Sequence, residues 1–211
     1  MGTVNVNYNP KTFEEDHIFD SRGILGWLGR RRKEAISETV LLFSRCSKGL
    51  RVLDAGCGYG EILEQFKGLM RVGLDVNLNA LMHAQRIDGE ACYILCDIEN
   101  LPLKGQSFDI VICSEVLEHV NSPIRATSQI IEATKNGGYI CVTVPNEWVT
   151  TLGRFVLKKR PFKSPAHKTS FTWTRLKKLF HDQSVICRRN VPFSFLPFHF
   201  STNLIALFQK K

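Results

Sequence analysis

Residues 52–60 read Val52-Leu53-Asp54-Ala55-Gly56-Cys57-Gly58-Tyr59-Gly60, an apolar run that passes directly into a glycine-rich turn. The run predicts a buried strand that brings a ligand to its carboxyl end. Three glycines in five residues let the backbone turn tightly and approach a ligand where a Cβ would block it. The spacing departs from the dinucleotide pattern G-x-G-x-x-G, because Glu61 stands where the third glycine would be. A carboxylate at that place repels a pyrophosphate, which argues against a nicotinamide oxidoreductase.

Asp54, just ahead of the glycines, suits a ligand carrying positive charge. A second apolar run, Met70-Arg71-Val72-Gly73-Leu74, ends in Asp75, and an acid closing the second strand of a doubly wound sheet commonly takes ribose hydroxyls. A third run, Ala91 to Cys96, ends in Asp97. Three successive strands therefore finish in an aspartate at the edge where open α/β sheets bind ligands.

The ordered segments VLDAGCGYG, VGLDVN, CDIENLPLKGQSFDIVICSEVLEHV and GGYICVTVPN resemble motifs of the class I S-adenosylmethionine-dependent methyltransferases, in particular the type 11 group that contains the ubiquinone-biosynthesis O-methyltransferases. The resemblance covers roughly residues 50–182. It implies an α/β fold, a doubly wound, Rossmann-like, mostly parallel seven-stranded sheet with antiparallel pairing at one edge and helices on both faces. It further implies that Asp54 with the loop backbone at Gly56, Cys57 and Gly58 holds the methionine part of S-adenosylmethionine. Asp75 would take the ribose, Val76 would stack on the adenine, Asp97 with the Ile98 backbone would read the adenine edge, and Ser114 would border the cofactor. S-adenosylhomocysteine would be the product.

The length of 211 residues suits one domain. Within it, residues 1–48 read as an arm and helix over the cofactor, 49–145 as the cofactor-binding core, 146–171 as an active-site insertion, and 172–211 as a helix and edge strands. No apolar stretch is long enough to span a bilayer, and residues 1–20 lack a charged-then-apolar signal pattern. Seven cysteines without a C-x-x-C pair argue for a reducing, cytoplasmic setting and against a disulfide framework or cysteine-bound zinc. Cys92, Cys96, Cys113 and Cys141 sit in apolar strand runs, where they are expected to behave as small buried hydrophobes. The formal charge of +8 is concentrated at Arg30-Arg31-Arg32-Lys33 and at Lys158-Lys159-Arg160 with Lys163. Such patches beside apolar residues suit nucleic acid, an anionic lipid surface contacted peripherally, or a phosphorylated substrate, and equally a solvated basic face.

Along the chain, Ile36, Val40 and Phe43 are spaced for one face of a helix within 16–43. Tyr8 in the preceding arm is a candidate cofactor or acceptor contact. The pattern then predicts a strand at 51–54, a helix from about Tyr59 to Lys67, a strand ending at Asp75, and a helix capped by Asn77. Further strands are expected at 91–96, 108–113 and 139–144, with a helix from Ser122-Pro123 to about Thr134 that Asn136-Gly137-Gly138 ends. Alternation of this kind argues for a parallel sheet with helices on both faces. A last helix is expected at 172–181, followed by strands at 184–191 and 204–208. The aromatic stretch between them, Pro192 to Phe200, either lines an acceptor pocket or packs on the sheet edge.

Ser114-Glu115-Val116-Leu117-Glu118-His119 follows the fourth strand. On a helix, Glu115, Glu118 and His119 would share a face, and with His167 downstream they form a candidate metal set. Oxygen-rich character favours magnesium or manganese, while the imidazoles admit zinc. The combination resembles the E-x-x-E-H plus distant histidine of small-RNA 2′-O-methyltransferases and partly that of the ubiquinone-pathway enzymes, where the metal organises acceptor hydroxyls. Without a metal, His119 or His167 is the preferred base, and Glu115 stands beside them as a catalytic candidate. His17, His83, His181 and His199 have no partner pattern, and Trp27, Trp148 and Trp173 read as packing anchors. The N-P-P-[YF] motif of amino-methylating enzymes and a Pro-Cys nucleophile are both missing after the fourth strand.

The expected reaction is methyl transfer from S-adenosylmethionine to an oxygen of a small-molecule, glycan or lipid-linked acceptor. RNA 2′-O-methylation and a non-catalytic, cofactor-binding partner protein are the alternatives.

Overall fold

The computed structural model describes residues 24–44, 49–156, 166–191 and 201–211. The readings made for the 1–20 arm, Tyr8, His17, the basic run 158–163 and the 192–200 aromatic stretch with His199 fall outside the described residues. Seven strands form one sheet: β1 (Arg51–Ala55), β2 (Met70–Asp75), β3 (Cys92–Leu95), β4 (Phe108–Ser114), β5 (Thr134–Pro145), β6 (Ser184–Arg189) and β7 (Asn203–Gln209). Their order is β3-β2-β1-β4-β5-β7-β6. The five strands from β3 to β5 pair in parallel, and β7 runs against both neighbours, between β5 and the edge strand β6. Strand order reverses between β1 and β4, so their carboxyl ends splay apart and open a crevice there, the place where doubly wound sheets bind ligands.

The helices are α1 (Ile24–Ser44), α2 (Leu78–Ile87), α3 (Pro123–Ala133), α4 (Glu147–Val156) and α5 (Trp173–Leu179). Both faces of the central strands are apolar, and alternate residues feed two cores. Leu53, Val111, Cys113, Val142 and Phe208 pack under Ala126 and Ile130 of α3 and Leu176 of α5. Val52, Ile110, Ile112, Cys141 and Leu207 pack with Ile36 and Val40 of α1, together with Leu63 and Phe66. This two-sided burial is what a parallel sheet demands. Phe180 stacks on Phe208 at 4.5 Å between ring centroids, which ties the end of α5 to β7.

Several caps follow the sequence reading. Asn77 Oδ1 accepts from Ala80 N–H at the start of α2, Ser122 Oγ from Arg125 N–H at α3, and Thr172 Oγ1 from Arg175 N–H at α5. Other boundaries move. The helix expected over Tyr59–Lys67 is reduced to a single 3₁₀ turn, Leu63–Phe66, because Gly60 at φ +78° takes the backbone out of the helical region within the expected first turn. β5 starts at Thr134, directly after α3, and carries Asn136-Gly137-Gly138 inside the strand, with Gly137 at φ +76°. Residues 147–156, read as part of the 146–171 active-site insertion, form α4. Cys113 and Cys141 are fully buried as expected, whereas Cys92 is exposed and Cys96 half-buried, because β3 is an edge strand and one of its faces lacks a cover.

The glycines of the loop after β1 are not equivalent. Gly56 has φ +88°, and a Cβ built there would lie 2.2 Å from Val116 Cγ2, so the first glycine is required by close packing against the segment after β4 as well as by conformation. Gly137 also has positive φ but nothing within 4 Å. Gly137→Ala is therefore expected to cost about 1–2 kcal/mol, the left-handed penalty alone. Gly56→Ala should cost about 3 kcal/mol or more, because Val116 must be displaced as well. Urea unfolding of both variants measures the difference, and equal losses would contradict the packing argument.

Candidate active site

A cavity of about 240 Å³ opens at the crevice between β1 and β4. Gly56, Cys57, Gly58, Asp75, Val76, Asp97, Ile98 and Ser114 line it, as do Glu115 and His119. Eight of the nine expected cofactor residues thus meet at one opening. The ninth, Asp54, is fully buried behind the loop and does not line the cavity.

Asp75 organises this end of the site. Its Oδ2 accepts the Gly58 N–H and its Oδ1 the Asn77 N–H, each at 2.8 Å, so one carboxylate orders both the glycine loop and the start of α2. The loop is also fixed from below, where Gly56 N–H and Cys57 N–H both donate to Leu74 O at 2.8 and 2.9 Å. Asp97 Oδ1 accepts the Glu99 N–H and caps the 3₁₀ turn Ile98–Asn100. Both carboxylates border the cavity, where they suit a ligand with hydroxyl, amino or sulfonium groups.

Arg32 and Lys33, read from the sequence only as part of a basic run, reach this cavity from α1. Lys33 pairs with Glu61 at 2.7 Å, and Arg32 with Glu115 at 3.0 Å. Two cations at the cavity wall suit a ligand that also carries a carboxylate. The apolar periodicity of α1 was the available signal, since it places residues 32 and 33 on the flank of the face that carries Ile36 and Val40.

The 115–119 segment is not helical. Glu115 sits at φ +57°, a left-handed conformation rarely taken by a residue with a Cβ, and the expectation of one helical face for Glu115, Glu118 and His119 is corrected accordingly. The two glutamates separate. Glu115 accepts from Thr143 Oγ1 at 3.0 Å and from Asn203 Nδ2 at 2.9 Å besides pairing with Arg32, while Ser114 Oγ and Thr143 Oγ1 lie 2.9 Å apart. Its carboxylate is saturated by the ends of β5 and β7, which keeps it out of the metal set proposed from the sequence.

Glu118, His119 and His167 do converge, with one ligand atom from each within 4.8 Å of the others. Glu118 is fully buried, and among the described residues neither carboxylate oxygen has a hydrogen-bond partner. Burial, with Glu115 as the nearest like charge, pushes its carboxyl well above the usual range. His119 Nδ1 donates to Ala166 O at 3.2 Å, which turns Nε2 toward Glu118 Oε1 at 4.0 Å. His167 Nδ1 bonds to Glu147 Oε1 at the first turn of α4, and the two imidazoles meet edge to face at 4.9 Å. The loop that carries His167 is held by Lys168 N–H and Thr169 N–H, both donating to Glu118 O. Imidazoles oriented through one nitrogen, beside a buried carboxylate with unmet acceptors, are a donor set that fits a divalent cation. Glu147 had no sequence signal, because its partner lies 20 positions away. Of the remaining histidines, His83 packs edge to face on Tyr59 and His181 pairs with Asp182 at the surface.

Comparison with known proteins agrees with this geometry. Residues 53–142 match the model of the methyltransferase domain family. Over 105 residues the chain is 35% identical to the ubiquinone biosynthesis O-methyltransferase of Coxiella burnetii, covering 47% of this chain and 45% of that protein. An uncharacterised protein of Methanocaldococcus jannaschii is 37% identical over 100 residues, covering 47% and 43%. The chain thus spans less than half the length of the curated relatives it matches. Among solved structures, the N-methyltransferase NodS of Bradyrhizobium japonicum in complex with S-adenosyl-L-homocysteine superposes with a TM-score of 0.67 at 16% identity, over 87% of each chain. Residues 53–142 are thus similar to methyltransferase domains, in line with the ordered motifs, and the fold is that of the superposed structure.

Asp54 supplies a test of the buried end of the site. Burial, then the neighbouring Asp75, raises its carboxyl from 3.8 to about 8. Between those two values the folded chain holds a proton that the unfolded chain has released, so stability falls as pH rises across the window. Asp54→Asn removes that slope. Thermal melts should show the variant gaining on the wild type by about 2 °C or more on going from acidic to slightly alkaline pH; a constant difference would mean that the carboxyl ionises at its ordinary value.

Proposed function

We propose that this chain transfers a methyl group from S-adenosylmethionine to an oxygen of a small or lipid-linked acceptor, and that Glu118, His119 and His167 hold a divalent cation beside that acceptor. The observation that carries the reading is the position of His119. It lines the cofactor cavity and belongs to the Glu118–His167 cluster at once. An acceptor bound at the cavity mouth would touch both.

The chain's residues divide the work. Asp75, Asp97 and the Gly56–Gly58 backbone would bind and orient the cofactor, with Arg32 within reach of its carboxylate. A sulfonium is already activated, so placing the acceptor in line with the methyl supplies most of the rate. The hydroxyl proton remains to be removed. His119, with Nδ1 held by Ala166 O, has Nε2 as the atom it would offer the cation, so the proton of a cation-polarised hydroxyl would leave to solvent. A divalent cation in this set would lower the pKa of a coordinated hydroxyl and align a neighbouring oxygen. The same cluster is compatible with the vicinal hydroxyls of an RNA end, and the O-methyltransferase relatives favour the small acceptor.

The test is calorimetric titration with S-adenosylhomocysteine and, separately, with manganese or zinc after EDTA treatment. Asp75→Ala should weaken S-adenosylhomocysteine binding by about tenfold or more, because a charged acceptor and the order of the loop are lost together. Glu118→Gln should abolish the heat of metal binding and leave S-adenosylhomocysteine binding in place. Wild-type protein that binds no S-adenosylhomocysteine would overturn the reading, and binding of the cofactor without any metal heat would remove the cation from it.

A further inference from the structure

The charge of the chain is not spread over its surface. Residues 148–181 contain nine lysines and arginines and no aspartate or glutamate, so they alone exceed the net charge of +8, and the remaining residues are close to neutral. This cation-only stretch begins at α4, and α4 is apolar on the wrong side for a core helix. Trp148, Leu152 and Phe155, at i, i+4 and i+7, stand on one face and are 80%, 53% and 64% exposed. Trp148 is therefore no packing anchor, in contrast to Trp173, which is partly buried against the core, stacks near Phe208 and carries Arg188 over its ring. The opposite side of the helix is tied to the molecule. Glu147 bonds to His167, and Asn146, just ahead of the helix, bridges to Phe171.

A tryptophan, a leucine and a phenylalanine presented along one helix face, with lysines and arginines continuing the chain, is the arrangement of a helix that lies in a lipid interface. The aromatic and aliphatic side chains enter the acyl boundary, and the cations meet anionic headgroups. A nucleic acid would use the cations and leave Leu152 without a role. A protein partner would need a matching acidic, apolar surface, whereas an anionic bilayer presents both features at once. No helix of the described residues is long and apolar enough to cross a membrane, so the contact is peripheral.

We propose that α4 docks this protein on anionic lipid bilayers, with Trp148, Leu152 and Phe155 in the interface. Because Glu147, on the first turn of the same helix, holds His167, docking brings the candidate active site to the membrane surface, where an acceptor with an apolar tail resides. The docking itself does not depend on the methyl-transfer reading.

The experiment is vesicle co-sedimentation of the full chain. Partition onto phosphatidylcholine vesicles containing about one-third phosphatidylglycerol should exceed that onto pure phosphatidylcholine by about tenfold or more, and should fall steeply in about 0.5 M salt. Leu152→Glu and Trp148→Ser should each lower it by about fivefold or more. Both variants should keep wild-type affinity for S-adenosylhomocysteine, which shows that they fold and separates failure of docking from failure of the proposed function. Brominated lipid should quench the wild-type fluorescence more than that of Trp148→Phe. Equal partition onto neutral and anionic vesicles, partition unchanged by Leu152→Glu, or binding of a single-stranded RNA without vesicle binding would each overturn the proposal.

Discussion

A single carboxylate, that of Asp75, joins the two parts of the chain on which the cofactor crevice depends. β1 and β2 are parallel neighbours, so their following loops leave the sheet at the same edge and must be held to each other by something other than strand pairing. The Gly58 and Asn77 amides meet at Asp75 and nowhere else. An uncharged side chain at this place would leave two buried N–H groups without an acceptor of comparable strength. The same geometry explains why the loop is glycine-rich but not a phosphate cradle. Its amides are turned toward Leu74 O and Asp75, and the acids around it repel an anion.

The acids after β4 show how one short motif yields two opposite environments. Glu115 and Glu118 are three residues apart, and both are removed from bulk water. Glu115 receives a guanidinium, an amide and a hydroxyl, from α1, β7 and β5 respectively. The Glu118 side chain accepts no hydrogen bond from the described residues, and burial pushes it toward its protonated form. The left-handed backbone at Glu115 is the device that separates them, since it swings one side chain toward the sheet ends and lets the next turn direct the other toward the histidines. A buried carboxyl without partners is costly, and such a cost persists where a ligand can offset it.

Much of this arrangement was legible in the sequence because it is local. The three strand-end aspartates, the Asn77, Ser122 and Thr172 caps and the alternation of strands and helices are set by neighbours within a few positions. What escaped is set by tertiary contact. A helix over 59–67 satisfied the apolar spacing, but Gly60 is needed in a left-handed conformation beside Tyr93 and Ala84, and the loop takes precedence. Cys92 and Cys113 look alike as residues of apolar runs and differ only in whether their strand lies at the edge or the centre. Thr143, Glu147 and Asn203 complete the site from residues whose immediate sequence gives no sign of it, since their partners are 20 to 88 positions away.

α4 is the element that relates the interior of the site to its surroundings. A helix that only closed an active site would direct its apolar side chains inward, where the hydrophobic effect stabilises closure. This helix directs Glu147 inward, to His167, and its large apolar side chains outward. Three large side chains on one outward face offer little gain to folding in water, and the proposed docking would bury them. With the imidazole of His167 held at the other end of the same ten residues, the orientation of the cluster and the orientation of the molecule at a surface become one structural variable.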